Sequence, residues 1–103
     1  MTDSRRKGRD GESRAERLLG DRDFTVDDLA CGKSGCDLIA TKDGVTWAVE
    51  VKNCTALPIA AWRRQAIRQR KTGQRWMLVM HLPGTREWLV MRQGERSLVW
   101  EEK

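Results

Sequence analysis

One α/β domain with a mixed central β-sheet flanked by helices is the fold these 103 residues predict. Three observations predict it. The length suits one compact unit. Two segments, 10–20 and 58–72, repeat apolar residues at helical spacing. The rest alternates apolar and polar residues in short runs separated by Gly-, Asp- and Pro-containing turns.

Taken in order, residues 1–9 are polar and mostly basic, and read as a flexible arm ahead of a single domain over 10–103. Asp10 suits a helix N-cap, Ala15, Leu18 and Leu19 form a stripe, and Gly20 can end the helix. Phe24–Val26 is a short strand. A small-residue loop, Cys31-Gly-Lys-Ser-Gly-Cys36, follows. Asp37–Thr41 and Val45–Lys52 then read as two strands joined through Lys42-Asp43-Gly44, and an Asp-Gly pair between strand-like runs signals a hairpin. Pro58–Thr72 is a second helix, with Pro58 at its first position and Gly73 beyond its end. Its stripe is Ile59, Trp62, Ala66 and Ile67, and Arg63, Arg64 and Arg68 make the other face basic. Strands at Trp76–Leu82, Trp88–Met91 and Ser97–Trp100 complete the set.

Composition narrows function. Lys and Arg number 20 against 15 Asp and Glu, a net charge of +5, which favours polyanionic partners. No apolar run is long enough to span a membrane and the N-terminus lacks a secretory core, so a cytoplasmic protein is expected. Three cysteines, an odd number without paired short spacing, point to free thiols. With His81 the one histidine, neither a zinc site nor a nucleophile–histidine pair is supported.

The hairpin carries the chemistry. Along Val45–Lys52, residues Val45, Trp47, Val49 and Val51 face one way, and Thr46, Ala48, Glu50 and Lys52 the other. A two-residue Asp43-Gly44 loop places Asp37 opposite Glu50, and the other face then brings Leu38 against Val49 and Ala40 against Trp47. Opposed residues have Cβ atoms about 4.5–5.5 Å apart, and like charges so placed repel. A divalent cation removes that repulsion. Mg²⁺, a hard ion held by carboxylates, water and substrate phosphate, fits such a pair. Lys52 beside it can stabilise developing negative charge.

Gly-Cys-Asp37-Leu-Ile, the Asp-Gly turn and Val-Glu50-Val-Lys52 together resemble the PD-(D/E)xK nuclease superfamily, with Cys36 where a proline is usual. Arg6-Lys7-Gly8, Glu12 and Leu18-Leu19 are similar to the opening of the archaeal-type Holliday-junction resolvases. The helix with Trp62 and Gln65 also resembles the virus-type replication-repair nucleases. The resemblance implies a restriction-endonuclease-like core and an Mg²⁺-dependent endonuclease, with Mn²⁺ as a substitute, that leaves 5′-phosphate ends. Asp37, Glu50, the Val51 carbonyl and Glu12 would hold the metal, with Glu16 as the alternative to Glu12, and Lys52 would assist hydrolysis. It implies branched DNA as substrate and a homodimer, in a bacterial, archaeal or phage setting. Flaps, nicked or linear duplex, or DNA binding without catalysis, are the alternatives. Arg5, Arg6, Lys7, Arg9, Lys33, Ser34, Arg63, Arg64 and Arg68 are the candidate DNA contacts. The Trp- and Met-rich strands at 76–82 and 88–91 are expected to supply an apolar dimer interface.

Overall fold

The structure is a computed structural model that describes residues 4–28, 35–53 and 58–103, with the backbone alone for residues 4–9. Its elements are α1 (Ser4–Gly20), β1 (Thr25–Asp27), β2 (Leu38–Lys42), β3 (Val45–Lys52), α2 (Ile59–Gln69), β4 (Gln74–His81), β5 (Glu87–Arg92) and β6 (Leu98–Glu101). The six strands form one mixed sheet in chain order. Only the β3–β4 pair is parallel, and α2 is its crossover.

The β2–β3 hairpin has the register its sequence predicts. Lys42 pairs with Val45, Ala40 with Trp47 and Leu38 with Val49. Asp43 and Gly44 both take positive φ, 52° and 78°, the backbone that a two-residue turn matching strand twist requires.

Alternation along the strands divides the core in two. Ala15, Leu18 and Leu19 of α1 pack with Leu38, Ala40, Trp47, Val49, Met77, Val79, Trp88 and Val90 on one face. Ala66 of α2 packs with Trp76, Leu78 and Met80 on the other, flanked by the partly buried Ile59, Trp62 and Ile67. β4 therefore has both faces covered, as expected of a strand whose residues 76–80 are continuously apolar.

That burial corrects one expectation. Trp76 to Met80 are committed to the chain's own core and cannot supply a dimer interface. Helix α1 supplies a second difference. It starts at Ser4, not Asp10, so residues 4–9, expected as part of an arm, are helical. Arg and Lys are good helix formers, and Gly8 by itself does not stop a helix that continues into a packed stripe. Helix α2 ends earlier than expected, because Arg70 adopts extended backbone at φ −68°, ψ 143°.

Beyond β6, Glu102 ties the end of the chain to α1. Arg14 donates to both its oxygens, Nε to Oε1 at 2.8 Å and Nη2 to Oε2 at 2.7 Å. These hydrogen bonds hold the Glu102 carboxyl below the usual range. Arg14 is thereby pinned two residues from Glu12, on the helix that faces the hairpin.

Candidate active site

At its far end from the turn, the hairpin ladder changes character. Strand β2 begins at Leu38, and Asp37 stands one residue before it. Asp37 N–H donates to the Val49 carbonyl at 3.0 Å. Its carboxylate Oδ2 accepts the Val51 N–H at 2.9 Å, doing the work of a ladder carbonyl. Asp37 is thus not a regular cross-strand partner of Glu50, as simple extension of the register implies, yet its carboxylate is locked against β3 beside it.

Glu50 is the one buried charged residue among those described, 4% exposed. Its Oε1 lies 3.4 Å from Lys52 Nζ, and its Oε2 has no hydrogen-bond partner among the described residues. Burial, and then the Asp37 charge, push its carboxyl up to about 7, with Lys52 pulling the other way. Glu12 is raised too, by burial first and then by Asp37. Asp37 therefore acts on both glutamates across the α1–β2–β3 junction. A cavity of 280 Å³ opens beside them, lined by Glu12, Glu16, Asp28 and Asp37. Both helix acids that the sequence leaves open reach this cavity. Of the two, Glu12 interacts with Asp37.

Lys52 has a support that sequence reasoning missed. Its ammonium sits over the Trp62 ring, 5.7 Å from the centroid. Helical spacing marks Trp62 as core, but only the parallel β3–β4 crossover brings it under Lys52. Asp28 was also missed. The adjacent acids Asp27 and Asp28 are visible in sequence, but their place depends on β1 pairing with β2.

Gly11 shows how closely α1 approaches β3. A Cβ there would lie 2.7 Å from the Asn53 Cβ, directly after Lys52, whereas one at Gly20 would meet nothing within 4 Å. The same change should therefore have opposite signs at the two ends of the helix. Gly11→Ala is expected to lose about 1–2 kcal/mol, crowding outweighing the helix-propensity gain. Gly20→Ala is expected to be neutral or to gain about 0.5 kcal/mol. Urea unfolding of both variants checks this, and equal shifts would contradict the close contact.

The remaining candidates divide simply. Arg63, Arg64 and Arg68 are exposed on α2, Arg63 lying over the Trp76 ring at 5.2 Å. Lys33 and Ser34, and the side chains of Arg5, Arg6, Lys7 and Arg9, lie outside the described residues. Cys36 is buried and disulfide-bonded, which corrects the expectation of free thiols; its partner lies outside the described residues. Among the described residues, no group of three or more His, Cys, Asp or Glu side chains is gathered tightly enough to hold a metal ion unaided.

No family model matches this chain, and no curated protein matches it in sequence. Among solved structures it is similar to that of Archaeoglobus fulgidus Hjc, a Holliday junction resolvase from an archaeal hyperthermophile. The TM-score is 0.65, over 93% of this chain and 84% of that one, at 23% identity. The fold is restriction-endonuclease-like. In this restriction-endonuclease-like frame, the six-stranded mixed sheet carries Asp37 and Glu50-Val51-Lys52 at one end of its central hairpin. No helix among the described residues is long and apolar enough to cross a membrane.

Proposed function

We propose that this chain is a metal-dependent endonuclease that hydrolyses DNA phosphodiesters at the Asp37–Glu50–Lys52 centre, with a four-way junction as its substrate. The observation that carries this reading is Glu50. A buried carboxylate with an oxygen that has no hydrogen-bond partner among the described residues, set beside a second carboxylate, destabilises a fold unless something positive occupies the gap. Lys52 answers one oxygen only.

The donor set fits a hard divalent cation, since every side-chain donor is a carboxylate oxygen. Asp37, Glu50 and the main chain at Val51 would hold it, with Glu12 directly or through water. Mg²⁺ is the ion proposed, and Mn²⁺ should substitute. Such an ion supplies charge neutralisation at the scissile phosphate and a water acidified enough to attack. The chain's own groups do the rest. Lys52, steadied by Trp62, presents an ammonium where negative charge develops. The exposed cations of α2, next to Trp62, suit sequence-independent contacts to the backbone.

A junction substrate is supported by the likeness to a Holliday junction resolvase, and symmetric cutting would require two such sites in a homodimer. The test is cleavage of a panel of mobile four-way junctions, flaps, nicked duplex and linear duplex, each with Mg²⁺, Mn²⁺ or chelator. Paired symmetric nicks on the junction, lost with chelator, are expected. Cutting of flaps or linear duplex alone would reject the junction assignment, and DNA binding without cutting in either metal would reject catalysis.

A further inference from the structure

A cavity of 420 Å³ lies at the opposite end of the β2–β3 hairpin from the acidic centre, beside the turn that follows α1. Val45 lines it, so it is roughly 16 Å along β3 from Glu50 at about 3.3 Å per residue. Like the acid-lined cavity at Glu12 and Leu38 it lies on the α1 side of the sheet, so the two are set apart along the strands. It is therefore separate from the hydrolytic centre.

Four cations converge on this cavity: Arg22, Lys42, Arg75 and Arg92. They belong to four different segments, so no sequence run announces them. Aromatic faces hold each one. Arg22 lies over Trp100 at 5.0 Å and Lys42 over Phe24 at 5.2 Å. Arg75 lies over Trp47 at 5.7 Å, and Arg92 over both Trp47, at 5.6 Å, and Trp100, at 5.3 Å. Among the described residues two carboxylates line the same space, Asp43 and Glu95, which leaves an excess of two positive charges. Glu95 takes one Arg92 nitrogen, Nη2, at 2.9 Å. The Arg92 Nε is buried with no hydrogen-bond partner among the described residues. Arg75 is exposed and meets no carboxylate there.

Four like charges held this close repel one another, and the rings, with the Leu18 and Glu101 carbonyls that accept from Arg22 and the Arg22 carbonyl that accepts from Lys42, fix their positions without neutralising them. Two negative charges do neutralise the excess, carried either by one free phosphate dianion or by two successive phosphodiesters of a strand, each singly charged. Phosphate offers several acceptor oxygens to planar guanidinium donors, the geometry in which arginine binds best. We propose that this cavity is a second phosphate-binding site, which holds the backbone of a DNA strand beyond the scissile position. The choice of DNA over a free phosphate rests on the proposed nuclease reading. The cationic cavity itself does not.

The test is run in chelator, so that no cleavage intervenes. Inorganic phosphate, then a 15-nucleotide single strand and a four-way junction, are titrated into protein whose arginine Nε–Hε signals are followed by NMR. Arg75 and Arg92 are expected to shift with all three. Fluorescence anisotropy then measures DNA affinity against salt for the wild type, the Arg22→Gln/Arg75→Gln double variant and Arg17→Gln, an exposed cation on α1 that serves as control. The double variant is expected to bind about 10-fold more weakly, with a log–log salt slope shallower by about 1–2, while the control changes less than about 2-fold. Equal losses in both variants would overturn the site. So would shifts with inorganic phosphate that DNA does not reproduce, which would mark a site for a free anion. A protein that cuts no DNA but gives the expected shifts and salt slopes would end the hydrolytic reading and leave this one standing.

Discussion

Asp37→Asn is expected to lower junction cleavage by at least about 10²–10³-fold, the loss typical of removing one transition-state-stabilising group, and to leave salt-sensitive DNA binding intact. One carboxylate does two separable tasks. Oδ2 accepts the Val51 N–H at 2.9 Å and so closes the end of the hairpin. An asparagine carbonyl oxygen can accept the same hydrogen bond, so the hairpin should stay closed and the melting temperature should barely move. What asparagine cannot supply is the negative charge facing Glu12 and Glu50. The expected pattern is therefore lost turnover, retained fold and retained binding. Single-turnover cleavage, thermal melting and binding in chelator measure the three separately. Undiminished cutting by this variant would remove Asp37 from the centre. A collapse in melting temperature would show that its role is to hold the hairpin.

Why the hairpin was legible and its surroundings were not follows from the range of each signal. The Asp43-Gly44 turn and the alternation of Val45–Lys52 are local, and together they fix register, face and the nearness of Asp37 to Glu50. The displacement of Asp37 from the ladder is invisible in the same letters, because it depends on a side chain replacing a backbone acceptor. Trp62 carries a correct local signal, a helical stripe, but its contact with Lys52 comes from the crossover between parallel strands. Gly11 reads as a mild helix weakness until Asn53 is placed against it. The apolar strand at 76–80 could serve a core or an interface equally well by composition, and only its neighbours on both sides decide. The four cations of the second cavity are spread from Arg22 to Arg92 and meet only when β1 to β6 have assembled.

Glu50→Gln is expected to make the metal-free protein more stable at pH 8 while ending its activity. Glu50 has a folded-state carboxyl pushed up to about 7 from an ordinary 4.5, by burial first and by Asp37 second. The folded protein thus holds this proton more tightly than the unfolded chain does. The resulting stability is fully present below about pH 4.5, and it is lost as pH rises to about 7. The difference amounts to about 3 kcal/mol at 1.36 kcal/mol per pKa unit. Lys52, 3.4 Å away, already offsets part of the repulsion within that figure. Glutamine keeps the shape and never ionises, so in chelator the variant should not show this fall between pH 4.5 and 7.5. At pH 8 it should exceed the wild type by about 1–3 kcal/mol, which is several degrees in melting temperature for a domain of this size. Glu12 titrates in the same sense in both proteins, so the comparison isolates Glu50. Adding Mg²⁺ or Mn²⁺ at pH 8 should then raise the stability of the wild type, because an ion that binds only the folded state shifts the equilibrium, and should raise that of the variant far less. Urea denaturation of both proteins from pH 4.5 to 8, with and without metal, measures all of this. Parallel pH curves for the two proteins would mean that Glu50 is not strained by its burial, and the case for a cation at this centre would lose its footing.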